Sequence, residues 1–321
     1  MKNNKLRVAI LFGGKSAEHD VSIQSAKNII KSLDKNKYEV TAIKINKDGK
    51  INFSLNNIDI VFPVLHGPFG EDGSMQGYIK LLDKPCIGSG VLGSAIGMDK
   101  DVTKRLLRDS GLPVGKFIVF RRGEAIDFAK IRSELGIPFF VKPANLGSSI
   151  GVSKVKNETD FERSIKVAFS YDTKIIIEEY TEGQEIECSV LGNENPIASV
   201  PGEIIPTHEF YDYEAKYIDS NGARIHIPAE ITDKQIKEIQ SLAIRVFKVL
   251  SLDGLARIDF FLTTTGKIYV NEPNTIPGFT NISMYPKLWE KSGIKYSELL
   301  DKLIELAIDK YYIQNKLKTS L

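Results

Sequence analysis

Cysteine is scarce in this sequence. The 321 residues include two, Cys86 and Cys188, in no CxxC pattern. That excludes a disulfide scaffold and a cysteine-rich zinc site, and it fits a reducing cytosol. An excess of one charge is lacking too. Lys plus Arg is 43 and Asp plus Glu is 41, leaving +2, without the basic surplus of a dedicated nucleic-acid binder. A local basic pocket for a small anion is compatible with that balance. Long apolar runs are missing: stretches such as 8–12 and 175–177 are far too short to span a bilayer. The basic start, Lys2 to Arg7, runs straight into a strand-like segment with no secretory apolar region or small-residue cleavage site. A cytoplasmic protein with neither a membrane nor a nucleic-acid partner is expected. Hydrophobic residues at 42% and charged residues at 26% are ordinary globular values, which excludes disorder and coiled coil. The length suits roughly two domains, or three small ones, with cores that need no staples.

The pattern along the chain predicts an α/β first third. An apolar, β-branched run at 6–12 ends in Gly13-Gly14. Ala26, Ile29, Ile30 and Leu33, at i, i+3, i+4 and i+7, predict the helix that follows. Strands at 40–45 and 58–65 and a helix at 74–82 complete an alternation that implies a parallel sheet covered on both faces. Residues 85–97, rich in glycine and serine, read as a boundary. The middle reads as α+β. Helices at 98–110 and 125–135 are each stopped by Gly and Pro, and strands are expected at 139–142, 152–155 and 175–180. From Gln184 onward the strands lengthen: 185–191, 197–205, 224–227, 255–263 and 267–272. Thr232-x-x-Gln235 predicts a capping box opening a helix, whose apolar stripe is Ile236, Ile239, Ala243, Val246, Phe247 and Leu250. A last helix is expected over 296–311, and there are no internal repeats.

Several segments could carry chemistry. Gly14-Lys15-Ser16 follows a strand, but Ala9 stands where a phosphate-binding P-loop needs glycine. A strand-to-helix turn is the reading that remains, and ligands on open α/β sheets bind at such carboxyl ends of strands. Glu18 lies just beyond it, placed either to complement a helix dipole or to bind a substrate ammonium. Three glycines in the run from His66 to Gly73 let backbone approach a ligand closely, although a plain strand-to-helix loop has the same composition. His19, His208 and His226 show no ligand spacing and read as structural or surface residues. From Lys142 to Gly151 a strand delivers a lysine into a Gly/Ser loop. Such a loop can cradle phosphates with backbone N–H groups, or be an ordinary long hairpin.

The strongest local signal is Arg257-Ile258-Asp259-Phe260, then a turn, then Glu272-Pro273-Asn274. A four-residue turn over 263–266 pairs Leu262 with Lys267, which sets Asp259 opposite Val270 and Arg257 opposite Glu272. Arg257, Asp259, Val270, Glu272 and Asn274 then project to one side, with the two acids as diagonal neighbours. Two carboxylates and an amide oxygen on one face suit a hard cation such as Mg²⁺. A salt-bridged face with Arg257 neutralising the acids is the other reading. Pro273 removes a ladder donor, so this strand is expected to be an edge or bulged there.

Together these pieces resemble the ATP-grasp superfamily, and within it the D-alanine–D-alanine ligase family. The resemblance is carried by Gly13 to Glu18, His66 to Gly73, Met98-Asp99-Lys100, Lys142 to Gly151, Phe210 to Tyr217, and Glu272 to Ser283. It implies a three-domain ATP-grasp fold, α/β and α+β, with an N-terminal parallel-sheet domain (1–97), a central domain (98–183) and a C-terminal domain (184–321). ATP would be gripped between the second and third. By the same resemblance Lys100, Lys142 and Lys216 meet the phosphates, and Ser148, Ser149 and Gly151 belong to the loop closing over them. Glu178 and Glu185 are implied adenine-side and ribose contacts. Asp259, Glu272 and Asn274 would hold two Mg²⁺ (or Mn²⁺) ions. Glu18 would take the ammonium of the first D-alanine, linked by hydrogen bonds to Ser148 and Tyr217. His66 belongs to the substrate site, Arg257 and the Gly278 backbone would stabilise an oxyanion, and Ser283 would hold the second carboxylate. The implied activity is ATP-dependent joining of two D-alanines through an acylphosphate, for peptidoglycan precursors, in a cytoplasmic homodimer, with Phe210 to Tyr217 as a lid. A D-alanine–D-lactate or D-alanine–D-serine ligase and a non-catalytic ATP-binding regulator are the competing readings. The aromatic-basic run ending at Tyr217 favours D-alanine over the first two. The intact set of Lys100, Lys142, Asp259 and Glu272 disfavours the last.

Overall fold

The computed structural model describes residues 5–206 and 223–318. Three sheets organise them. The first, in the order β2-β1-β3, is parallel and consists of β1 (Leu6–Gly13), β2 (Tyr38–Ile45) and β3 (Ile60–Val64). Alternate residues of β1 enter separate cores, Val8 and Ile10 on one face, Ala9 and Leu11 on the other, so both faces are covered as expected. Helices α1 (His19–Ser32) and α2 (Ser74–Leu81) follow β1 and β3. The C-terminal helix α9 (Tyr296–Asn315) also packs here, burying Leu299, Leu303 and Ile304 against Val8 and Ile10.

Residues 85–97 are not a bare boundary. They contain α3 (Val91–Met98), and their glycines serve close packing. A Cβ on Gly93 would lie 2.4 Å from the Ser251 carbonyl, and one on Gly97 would lie 2.7 Å from Thr275 Cγ2. The helix expected from residue 98 begins at Lys100, because Asp99 caps α4 (Lys100–Asp109) by accepting from the N–H groups of Asp101 and Val102.

The central sheet is antiparallel, in the order β4-β7-β5-β6: β4 (Phe117–Arg121), β5 (Phe139–Pro143), β6 (Ser153–Val155) and β7 (Lys174–Glu179). Helices α5 (Phe128–Leu135) and α6 (Glu158–Tyr171) cover one face through Ile131, Phe161 and Ala168. Side chains alternate along a strand. Phe139, Val141, Ile175 and Ile177 therefore enter this core, while Phe140, Lys142 and Glu178 take the opposite face.

The third sheet runs β11-β10-β8-β12-β13, with β9 beside β8. Its strands are β8 (Gly183–Gly192), β9 (Ile197–Ala198), β10 (Gly202–Pro206), β11 (Ala223–His226), β12 (Gly254–Thr263) and β13 (Ile268–Asn274). The single strand expected over 197–205 is split where Pro201 interrupts the ladder. Helix α7 (Asp233–Val249), opened by the expected Thr232–Gln235 capping box, buries Ile239, Val246 and Phe247 on this sheet, and α8 (Met284–Lys291) follows β13.

The β12–β13 register differs from the expected one. Thr263 pairs with Lys267 through N–H to O at 2.9 Å, so three residues form the turn, with Gly266 left-handed (φ 80°). Leu262 then faces Ile268 and Phe260 faces Val270. An irregularity between Asp259 and Phe260 absorbs Asn271 as an extra residue, after which Asp259 faces Glu272 and Arg257 faces Asn274. That bulge reverses the facing of β13. Val270 joins Ile268, Ile258 and Phe260 in the core instead of sharing the polar face. The expected diagonal pair of acids is a directly opposed pair. β13 is the sheet edge and carries the bulge, as Pro273 required.

Candidate active site

A cleft of about 380 Å³ lies between the polar faces of the central and C-terminal sheets. Phe140, Val152, Tyr180, Ile204 and Phe261 give it apolar walls, and Gln184, Glu185 and Glu203 line it too, with Gln184 Nε2 donating to Glu203 at 2.9 Å. Lys100, Lys142, Ser149 and Glu272 also line the cleft. Apolar walls with cations and a Gly/Ser loop make a chamber of nucleoside-phosphate character. The aromatic walls were not legible in sequence. Phe140 and Phe261 are alternate members of ordinary strand patterns, and only the facing of two sheets brings them together.

The lysines are held tightly. Lys100 opens α4, and its Nζ donates to the Leu146 carbonyl at 2.7 Å and pairs with Glu272 at 3.1 Å. The capping Asp99 is itself fixed by Lys174 Nζ, at 2.7 and 2.6 Å from its two oxygens. Lys142 Nζ donates to Glu178 Oε2 at 2.6 Å, and Lys104 Nζ lies 3.1 Å from the other oxygen. Burial alone would lower the Lys142 pKa, but Glu178 and then Glu272 hold its ammonium above the ordinary value. For Glu178 burial works against ionisation, yet Lys104 and Lys142 bring it down to about 2. The loop after Lys142 is curled by Ser148 and Ser149, both left-handed (φ 53° and 58°), conformations that cost a serine about 1–3 kcal/mol. Gly151, also left-handed, has no room for a Cβ, which would stand 2.8 Å from Pro143 and Tyr171.

Glu18 is buried and occupies the N-cap position of α1, but its side chain makes no capping bond. It accepts instead from Ser148 Oγ, across 130 residues of sequence. Its carboxylate is thus tied to the loop after Lys142. Glu18, Ser148, Lys100, Glu272 and Asn274 line a second cavity of about 70 Å³ together with Glu71, Met98 and Thr275. His66 is buried, and its Nδ1 lies 2.9 Å from the Ile276 carbonyl. Burial lowers its pKa, with Glu18 opposing. Ser283 Oγ accepts from Thr280 N at 2.9 Å, and a Cβ on Gly278 would approach that oxygen to 2.7 Å, so Gly278 and Ser283 are close neighbours. His19 is structural, its Nδ1 2.6 Å from the Gly14 carbonyl. His208, Lys216, Tyr217 and the rest of the run from Phe210 lie outside the described residues.

Glu71 was not singled out in sequence, although it sits in the glycine-rich run. It accepts from Gly67 N at 2.6 Å and from Ile276 N at 3.1 Å, tying two loops together. Burial, then the charge of Glu18, pushes its pKa up to about 8. A carboxyl raised in the folded state holds its proton while the unfolded chain releases it near 4.5. Its contribution to stability is therefore complete below about 4.5 and is lost as pH rises to about 8. Melting temperature should decline across that window in the wild type, and the decline should be shallower in Glu71→Gln. Parallel melting curves for the two proteins against pH would refute this.

On the metal-type face, Arg257 engages both Asp259 oxygens at 2.7 Å and Glu187 at 3.0 Å. Part of the salt-bridged reading is thus realised. Each carboxylate oxygen keeps a second lone pair. Asn274 Oδ1 is buried without a hydrogen-bond partner among the described residues, beside Glu272. Among the described residues no three or more His, Cys, Asp or Glu side chains cluster as a self-sufficient metal site. Two carboxylates and an orphaned amide oxygen fit a Mg²⁺-type cation whose remaining ligands come from phosphate oxygens.

Comparison with known proteins decides the family. Residues 106–305 match D-ala D-ala ligase C-terminus, and residues 7–56 and 50–89 match D-ala D-ala ligase N-terminus. The chain belongs to the D-alanine–D-alanine ligase family. A D-alanine--D-alanine ligase from Oceanobacillus iheyensis is 48% identical, over 98% of this chain and 99% of that protein. Among solved structures of the family, the ligase from Coxiella burnetii has a TM-score of 0.89 at 40% identity, covering 97% of this chain and 96% of that one. The Bacillus anthracis ligase complexed with ATP has a TM-score of 0.84 at 30% identity, covering 96% and 99%. The architecture described above is the ATP-grasp fold of this family.

Proposed function

We propose that this chain joins two D-alanine molecules into D-alanyl-D-alanine at the expense of ATP, in the cytoplasm, for cell-wall precursors. One observation carries the reading. The nucleotide-sized cleft and the small cavity share four lining residues, Lys100, Leu146, Gly147 and Glu272. An amino acid in the small cavity, with its ammonium at Glu18, would present its carboxylate to the phosphate end of the cleft. The domains are proposed as 1–97, 98–183 and 184–321, with ATP between the last two. The family's structure with ATP supports the nucleotide assignment.

The chemistry follows from charge. A D-alanine carboxylate oxygen attacks the γ-phosphorus, ADP leaves, and an acylphosphate forms. The amine of the second D-alanine attacks the acyl carbon, a proton is lost and phosphate departs. Anion meets anion in the first step, so cations must screen them. Lys100 and Lys142 do so from the described residues, and Lys216 is proposed to join them. Ser149, Gly151 and Glu185 are proposed to hold the nucleotide. Asp259, Glu272 and Asn274 would hold two Mg²⁺ ions, which when bound neutralise charge on the transferred phosphoryl group. Ser148 fixes Glu18, and Tyr217 is proposed to assist. Arg257 and the Gly278 N–H are proposed to stabilise the tetrahedral oxyanion, His66 to line the substrate site, and Ser283 to hold the second D-alanine's carboxylate. Water would destroy the acylphosphate, so the lid role stays with the run from Phe210 to Tyr217.

Phosphate release with ATP should require D-alanine and yield the dipeptide. A panel of D- and L-amino acids, D-serine and L-alanine among them, together with D-lactate, tests this. Release that is indifferent to D-alanine would overturn the reading. A homodimer is part of the proposal, and the exposed Leu81 and Leu92 on α2 and α3 offer apolar surface for it. Sedimentation of a monomer at micromolar concentration would count against that part.

A further inference from the structure

Lys104 has no part in the reaction above, yet it is 5% exposed. It follows Lys100 by one helical turn, so both lysines leave α4 on the same face. Lysines are almost never buried without a partner. Here the partner is Glu178, which gives one oxygen to Lys104 (3.1 Å) and the other to Lys142 (2.6 Å). Both carboxylate oxygens are thus engaged by cations.

The charge count matters. Lys142 with Glu178 alone would form a neutral pair and present little attraction to a polyphosphate. With Lys104 on the same carboxylate, the three groups sum to +1, the neighbouring Lys100–Glu272 pair being neutral, and in a partly desolvated site one unit charge is felt strongly. The pull of Lys104 on Glu178 also fixes the carboxylate, and with it the direction of the Lys142 ammonium. We propose that Lys104 is a positioning residue for the nucleotide: by sharing Glu178 it orients Lys142 and leaves the cluster net positive toward the phosphates. This rests on the ATP-dependent reading above.

ATP binding, by calorimetry, and steady-state constants test it together. Lys104→Met should raise the dissociation constant and KM for ATP about tenfold, the worth of one charge-assisted contact. Its kcat should stay within about twofold, and its D-alanine constants should not move. Lys104→Arg, which keeps the charge, should bind ATP nearly as wild type. Lys104→Met combined with Glu178→Gln restores +1 and should recover affinity relative to Lys104→Met alone. A core ion pair of purely structural worth would instead lower the melting temperature of Lys104→Met and leave ATP affinity intact. That result, or a double variant no better than the single, overturns the proposal. Wild-type protein that binds no ATP would overturn the functional reading as well. Wild-type turnover with unchanged ATP affinity in Lys104→Met overturns this inference alone.

Discussion

Glu272→Gln should lower kcat by roughly a thousandfold, about 4 kcal/mol of transition-state stabilisation, with the melting temperature nearly unchanged. The side chain stands at the one place where both cavities meet, lining each of them. Directly across the ladder is Asp259, and Lys100 Nζ is 3.1 Å away. Amidation keeps shape and one oxygen but removes the charge needed to bind a divalent cation beside transferring phosphate. It also leaves Lys100 without its acidic partner at this position. Folding should tolerate the change because Glu272 is half-exposed on an edge strand, away from the Ile258, Phe260 and Val270 core. Stopped phosphate release beside a normal melting curve is the expected pair of results. Turnover near wild type at saturating Mg²⁺ would sink the assignment of this face to a metal.

Glu18→Gln should weaken the first D-alanine about ten- to a hundredfold, the worth of a charge-assisted hydrogen bond of about 1.5–3 kcal/mol. ATP constants should change far less, and the second D-alanine should be less affected, since it must react as a free amine. The accompanying stability change is opposite in sign to that expected for a capping residue. Glu18 makes no cap bond to α1, and its charge is one cause of the raised Glu71 pKa. Removing that charge lowers the cost of ionising the Glu71 carboxyl in the folded protein, so the melting temperature should hold or rise. A fall in melting temperature with unchanged D-alanine binding would return Glu18 to a structural role.

The chemistry-bearing residues of β12 and β13 were legible because a strand rarely spends so many polar side chains on one side. Their pairing was not legible, since nothing in the pattern announces that Asn271 is surplus. The glycines of α3 read as a break because composition cannot distinguish a flexible linker from a helix pressed against a neighbouring chain segment. Lys104 and Glu71 carry no sequence signal for a related reason. A lysine one turn from another resembles a solvated helix face, and an acid in a glycine-rich loop resembles surface. What holds each is a segment far away in sequence: Glu178 for the one, the Ile276 backbone for the other. The Glu18–Ser148 contact has no local signal either and followed only from the family resemblance.

The bulge at Asn271 has a meaning for how this sequence can vary over generations. Along β12 the odd positions 257 and 259 face the chemistry, and the even positions 258, 260 and 262 face the core. On β13 the parity slips: 268 and 270 belong to the core, yet 272 and 274 belong to the site. Selection for a stable protein and selection for a working one therefore press on separate, interleaved letters of the same two strands. The spare residue keeps them separate by staying out of the ladder. Pairing it into a regular ladder would turn the acids of β13 inward and merge the two pressures into one defect.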